Sequence, residues 1–121
     1  MKAIYTEKAP QPVGPYSQAI KSNGFLFVSG QLGVDTDGNV PDTIEGQTEQ
    51  SIKNIKEILA KENLTLKNVV KATVFLTTMD DFPNMNSVYE KHFTGKPARA
   101  AVGVSLLKNF KVEIEVIATY E

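Results

Sequence analysis

Apolar and polar residues alternate along the chain with two different periods, and the change from one to the other marks the elements. Residues 3–5 start a short strand. Pro10, Pro12, Gly14 and Pro15 then hold an extended loop, because proline restricts itself and the residue before it. Residues 17–20 read as a strand. Asn23-Gly24 suits a tight hairpin turn into residues 25–29, a strand apolar on both faces and therefore suited to the interior of a sheet. Asp35 to Gly38 and Pro41 mark a further turn region.

The period then lengthens. Asp42, with Glu45 three residues on, is a helix start. Ile44, Ile52, Ile55 and Leu59 recur at helical spacing beside Glu49, Lys53, Lys56 and Lys61, which predicts an amphipathic helix ending near Asn63. Residues 69–77 return to a strand, with Val70, Ala72, Val74 and Leu76 on one face. Asp80 or Asp81 caps a second helix that tolerates Pro83 in its first turn and buries Met85, Val88, Tyr89 and His92. After Gly95 and Pro97 two more strands follow, 99–104 and 111–120. The order predicts an α+β domain spanning 1–121, a mixed sheet with both helices on one face. Strands 25–29 and 69–77 run parallel in it, joined by a helical crossover.

Composition narrows the functions open to such a domain. At 121 residues, with 41% apolar and 22% charged side chains, the chain can bury one core of its own. Its net charge of -1 and singly scattered lysines offer no basic block to nucleic acid or to an anionic membrane. Without cysteine there is no disulfide, thiolate nucleophile or Cys-ligated metal, and one histidine, His92, cannot build a His-based metal site. No apolar run approaches the ~20 residues that span a bilayer. The first seven residues lack the apolar core of a signal peptide, so the cytoplasm is the expected compartment.

Candidate chemistry rests on charge. Arg99 is the only arginine among thirteen cationic side chains, and its flanks, Pro97-Ala98 and Ala100-Ala101-Val102, are small and apolar. A guanidinium is a rigid two-pronged donor that matches a carboxylate. The bland alternative is a lone surface arginine at a strand start. In Lys111-Val-Glu-Ile-Glu-Val-Ile117, Val112, Ile114 and Val116 share one face, while Glu113, Glu115 and Ile117 share the other. If Val102 and Val104 pack towards the helices, Arg99, Ala101 and Gly103 turn to the opposite face and join Glu113 and Glu115 there. That juxtaposition leaves room for a small anion. Gly14-Pro-Tyr-Ser-Gln18 and Ser29-Gly-Gln-Leu-Gly33 are loops whose donors could line a cleft; Tyr16 either packs or presents its hydroxyl, and His92 sits at the core edge.

Several segments together are distinctive. Gly14-Pro-Tyr-Ser-Gln-Ala19, Val28-Ser-Gly-Gln31, Lys71-Ala-Thr-Val-Phe75, Met85-Asn-Ser-Val-Tyr89 and Pro97-Ala-Arg99 closely resemble the Rid (RidA/YjgF) family, in order and over nearly the whole chain. The resemblance implies a chorismate-mutase-like fold, a homotrimer with ligand clefts between subunits, and hydrolysis of 2-iminobutanoate and 2-iminopropanoate to 2-oxo acids and ammonia, with no cofactor or metal. It implies that Arg99 holds the substrate carboxylate, that Glu113 orients or activates water, and that Tyr16, Gly30 and Asn86 line the cleft. A cysteine often stands in this family where this chain has Ala101, which leaves only that residue's backbone N–H to contribute. The segment between Arg99 and Glu113 is about one residue shorter than usual, so Glu113 and Glu115 both stay in view. A cleft of this kind also fits a non-catalytic module, regulatory or chaperone-like, that holds a small carboxylate. The open sheet face is expected to carry Thr73, Phe75, Ala101, Gly103 and Ile117, too apolar to stay wet, which three copies of the chain would cover.

Overall fold

A computed structural model describes the chain from Met1 to Glu121. Its strands are β1 (Lys2–Ile4), β2 (Ala19–Ser22), β3 (Phe25–Leu32), β4 (Val69–Leu76), β5 (Ala98–Gly103) and β6 (Val112–Thr119); its helices are α1 (Ile44–Lys61) and α2 (Phe82–His92). One mixed sheet takes the order β1-β2-β3-β6-β4-β5. β3 and β4 each pair antiparallel with β6, so they do run parallel to one another, with the last strand inserted between them. β4 and β5 pair directly in parallel across the α2 crossover.

The hairpin from β2 to β3 turns where Asn23 and Gly24 take φ of 54° and 83°, the left-handed pair that matches strand twist. α1 starts one residue later than the sequence suggests. Thr43, not Asp42, is its cap, its hydroxyl accepting the Gly46 N–H at 3.0 Å. Asp81 stands at the α2 cap position without a side-chain bond to the helix, and Pro83 occupies the first turn, where no N–H is needed.

Both helices cover one sheet face. Ile52, Ile55, Ile58 and Leu59 of α1, Met85, Val88 and Tyr89 of α2, and Leu26, Val74, Leu76, Ile114 and Val116 of the sheet are buried together. Val70 departs from its expected company: a register shift between Val69 and Lys71 turns Val69 inwards and leaves Val70 exposed. His92 is not buried either; it lies at the seam of the two helices, its Nε2 2.6 Å from Glu49 Oε1.

Several polar residues are spent on architecture. Gln18 is buried, accepting the Thr6 N–H at 2.7 Å and donating to Thr6 O and Pro10 O, both at 3.0 Å, which pins the loop before β2. Ser51 donates to Gln31 O and Asn54 to Val34 O, locking α1 to the end of β3. Gly33 lies so close to α1 that a Cβ there would come within 2.5 Å of Gln47 O. Ser29 to Leu32, expected as a loop, continue β3, and the donors of this segment and of the Gly14–Gln18 loop serve packing more than a cleft.

Candidate active site

Arg99 is the second residue of β5, an edge strand. Its register partner is Ala72, which is buried beneath the helices, so Arg99 points to the helix side of the sheet. There it meets α2. Asn86 Oδ1 accepts a hydrogen bond from Arg99 Nη1 at 2.6 Å. The guanidinium carbon lies 4.7 Å from the centre of the Tyr89 ring and 5.4 Å from that of Phe82. All three partners are neutral, and neither of the two ion pairs, Lys21–Glu62 and His92–Glu49, involves Arg99. An arginine held this way keeps its charge and most of its five N–H donors for something else. Ala101, opposite Val74, shares the same side and packs partly against the core.

Glu113 occupies the other face. On β6 it stands between Leu32 of β3 and Phe75 of β4, while Val112 and Ile114 on either side of it are buried. Its carboxyl lies over Gly30, where a Cβ would come within 2.8 Å of the Glu113 carboxyl carbon. Gly30 has no positive φ; what it supplies is space. Burial, and secondarily the like charge of Glu115, pushes the Glu113 carboxyl above the usual range. The loop bearing the half-exposed Tyr16 is tied nearby, because Ser29 donates through Oγ to Ser17 O at 2.6 Å and through its N–H to Gln18 O at 2.9 Å.

The structure therefore corrects the face assignment read from the strand pattern. Arg99, Ala101 and Gly103 do not share a face with Glu113 and Glu115; they lie on the helix side. Val102, expected to pack inwards, is 42% exposed on the open face. β5 takes its orientation from parallel pairing with β4, and its run of alanines, one arginine, one valine and a glycine carries no alternation that could reveal it. Of the expected site residues, Arg99, Asn86 and Ala101 gather at one place, and Glu113, Gly30 and the Tyr16 loop gather at another. Phe82 and Tyr89 were not expected beside Arg99. Their signal is the spacing of Phe82, Asn86 and Tyr89 on one stripe of α2, with Phe93 just past its end.

Fold and site together define a small α+β protein with an unneutralised arginine on one sheet face and a carboxyl of raised pKa on the other. A family model described as Endoribonuclease L-PSP matches residues 6–120. The chain is 49% identical over 124 residues to a RutC family protein of Pyrococcus horikoshii, covering 99% of this chain and 98% of that one. It is 45% identical over 122 residues to the chloroplastic Reactive Intermediate Deaminase A of Arabidopsis thaliana, covering 98% of this chain and 65% of that protein. The crystal structure of E. coli TdcF with bound serine superposes with a TM-score of 0.95 at 35% identity, over the full length of both chains. The chain belongs to the Rid family, the group that includes the RutC and YjgF proteins.

Proposed function

We propose that this protein is a 2-iminobutanoate/2-iminopropanoate deaminase that works as a homotrimer, with each site assembled from two subunits. The observation that carries this reading is the setting of Arg99, a guanidinium gripped only by neutral groups and so available to a small carboxylate. The kinship with Reactive Intermediate Deaminase A supports the imine chemistry, and the serine in the TdcF structure supports a ligand of amino-acid size and charge.

The residues fit the reaction. Arg99 binds the carboxylate of the 2-imino acid through paired N–H donors, which fixes the imine carbon. A water beside Glu113 adds to that carbon, and its proton passes to the carboxylate. The tetrahedral carbinolamine then collapses: the nitrogen takes the proton from Glu113 and leaves as ammonia, while the hydroxyl oxygen forms the carbonyl and gives its own proton back to the Glu113 carboxylate, which yields the 2-oxo acid. A protonated imine is electrophilic enough that positioning and one base suffice, so no cofactor or metal enters. Tyr16, Gly30, Asn86 and the Ala101 backbone line the cleft.

Opposite faces of a sheet cannot close on one small molecule. A trimer resolves this by bringing the β5 edge of one copy against the open face of the next, in the chorismate-mutase-like manner. That face carries Phe25, Phe27, Ile117, Phe75 and Val102, and Phe25 and Phe27 lie with ring centres 6.2 Å apart. A second copy is the natural cover for such a surface. Homotrimer assembly, the cytoplasm as compartment, and freedom from nucleic acid and membrane complete the reading. No helix is long and apolar enough to cross a membrane. RNA cleavage, the activity named in the family description, is poorly served by a net charge of -1 and a single histidine.

The test generates imines in situ from several amino acids with an amino-acid oxidase and follows ammonia release. Accelerated release that is lost in Arg99→Ala supports the deaminase. Saturable binding of 2-oxobutanoate without any turnover would instead make the protein a carboxylate-binding module.

A further inference from the structure

An exposed arginine on an edge strand ordinarily samples many rotamers, and a receptor for a small carboxylate cannot afford that freedom. We propose that Tyr89 is the positioning residue for Arg99, its ring a fixed platform that holds the guanidinium in place while leaving its charge for the ligand. The proposal rests on the reading of Arg99 as the carboxylate anchor.

The ring itself does not move freely. Tyr89 is buried in the last turns of α2 and stacks on Phe93, with ring centres 4.3 Å apart and planes 19° from parallel. Against this platform the guanidinium carbon sits at 4.7 Å, well inside the ~6 Å reach of a cation–π contact, and Phe82 offers a second, more distant ring at 5.4 Å. Asn86 restrains one Nη1 donor at 2.6 Å, so the arginine is held through two kinds of contact, neither of them ionic. An aspartate or glutamate in the place of Tyr89 would grip the arginine as firmly but would cancel the charge that the ligand needs.

The Tyr89 hydroxyl has no part in this. It is buried and has no hydrogen-bond partner. What the residue gives Arg99 is therefore the face of its ring. The platform is also well placed along the chain. α2 is the crossover that delivers β5 to β4, and Phe93, which backs the Tyr89 ring, begins the short link into the Pro97-Ala-Arg99 segment.

Fluorinated phenylalanines at position 89 separate this from simple packing, since fluorine drains electron density from the ring face while nearly preserving its shape. The readouts are kcat and KM for imine hydrolysis and the Kd for 2-oxobutanoate, measured on the intact oligomer for Tyr89→Phe and for mono-, di- and tetrafluorophenylalanine. Tyr89→Phe is expected to bind as wild type does. Affinity should then fall step by step to about tenfold weaker at the most fluorinated ring, with KM following and kcat within about twofold. A flat series, beside an Arg99→Ala variant that has lost binding, overturns the platform and leaves the anchor standing. An Arg99→Ala variant that binds and turns over normally overturns the anchor itself, and the platform with it.

Discussion

In the proposed mechanism Arg99 and Glu113 carry the chemistry, and each has a conservative substitution that isolates its role. Arg99→Lys keeps a positive charge but loses the planar fork and the stacking surface, so kcat/KM should fall by roughly tenfold or more, about 1.4 kcal/mol or greater. Steady-state kinetics on the two imino acids check this; an unchanged constant would mean that charge alone holds the substrate. Glu113→Gln should leave 2-oxobutanoate binding near wild type and remove most turnover, because an amide does not accept a proton at neutral pH. Burial, then the Glu115 charge, raises the Glu113 carboxyl above the usual glutamate range, so as pH falls its carboxylate form is lost sooner than that of an ordinary glutamate. The acid limb of the pH–rate profile should accordingly lie above that of an ordinary glutamate. Glu115→Gln removes the repelling charge and should move this limb to lower pH with little loss of maximal rate. A limb that stays in place would show that Glu115 does not act on Glu113, and a larger loss in Glu115→Gln than in Glu113→Gln would transfer the catalytic role.

At the level of elements, β3 makes room for β6. Gly30 stands where a side chain would strike the Glu113 carboxyl, the movable end of a flexible group and not backbone. Gly30→Ala should therefore fold normally, with Tm within about 3 °C of wild type, while kcat/KM drops by roughly tenfold or more because the carboxyl is displaced. Kinetics beside a thermal melt decide this, and full activity would remove Gly30 from the site. The same elements show what a sequence can reveal. α1 is legible because Ile44, Ile52, Ile55 and Leu59 repeat at helical spacing, and β6 because Val112, Ile114 and Val116 alternate with Glu113, Glu115 and Ile117. β5 is not. Its one larger apolar residue, Val102, faces outwards onto the open face, and only long-range pairing of Ala72 with Arg99 fixes the face of the strand. Local pattern also missed the bulge that expels Val70 and the stripe on α2 that meets Arg99. The candidate site residues are legible by kind, as a lone arginine and a carboxylate on an alternating strand, because those features are local.

At the level of the whole molecule, the opposed faces have one consequence above all for the proposed mechanism: in a single chain Arg99 and Glu113 cannot serve the same substrate as anchor and base. Arg99→Ala and Glu113→Gln should each be nearly inactive as pure oligomers. Unfolded together in equal amounts and refolded, they should form mixed trimers in which some clefts pair the intact Arg99 of one subunit with the intact Glu113 of its neighbour. Random assembly around a cyclic axis gives about a quarter of the clefts this pairing, so deaminase activity should recover to about a quarter of the wild-type value. A mixture as inactive as its two components, with the mixed oligomers verified by mass spectrometry, would contradict the shared site.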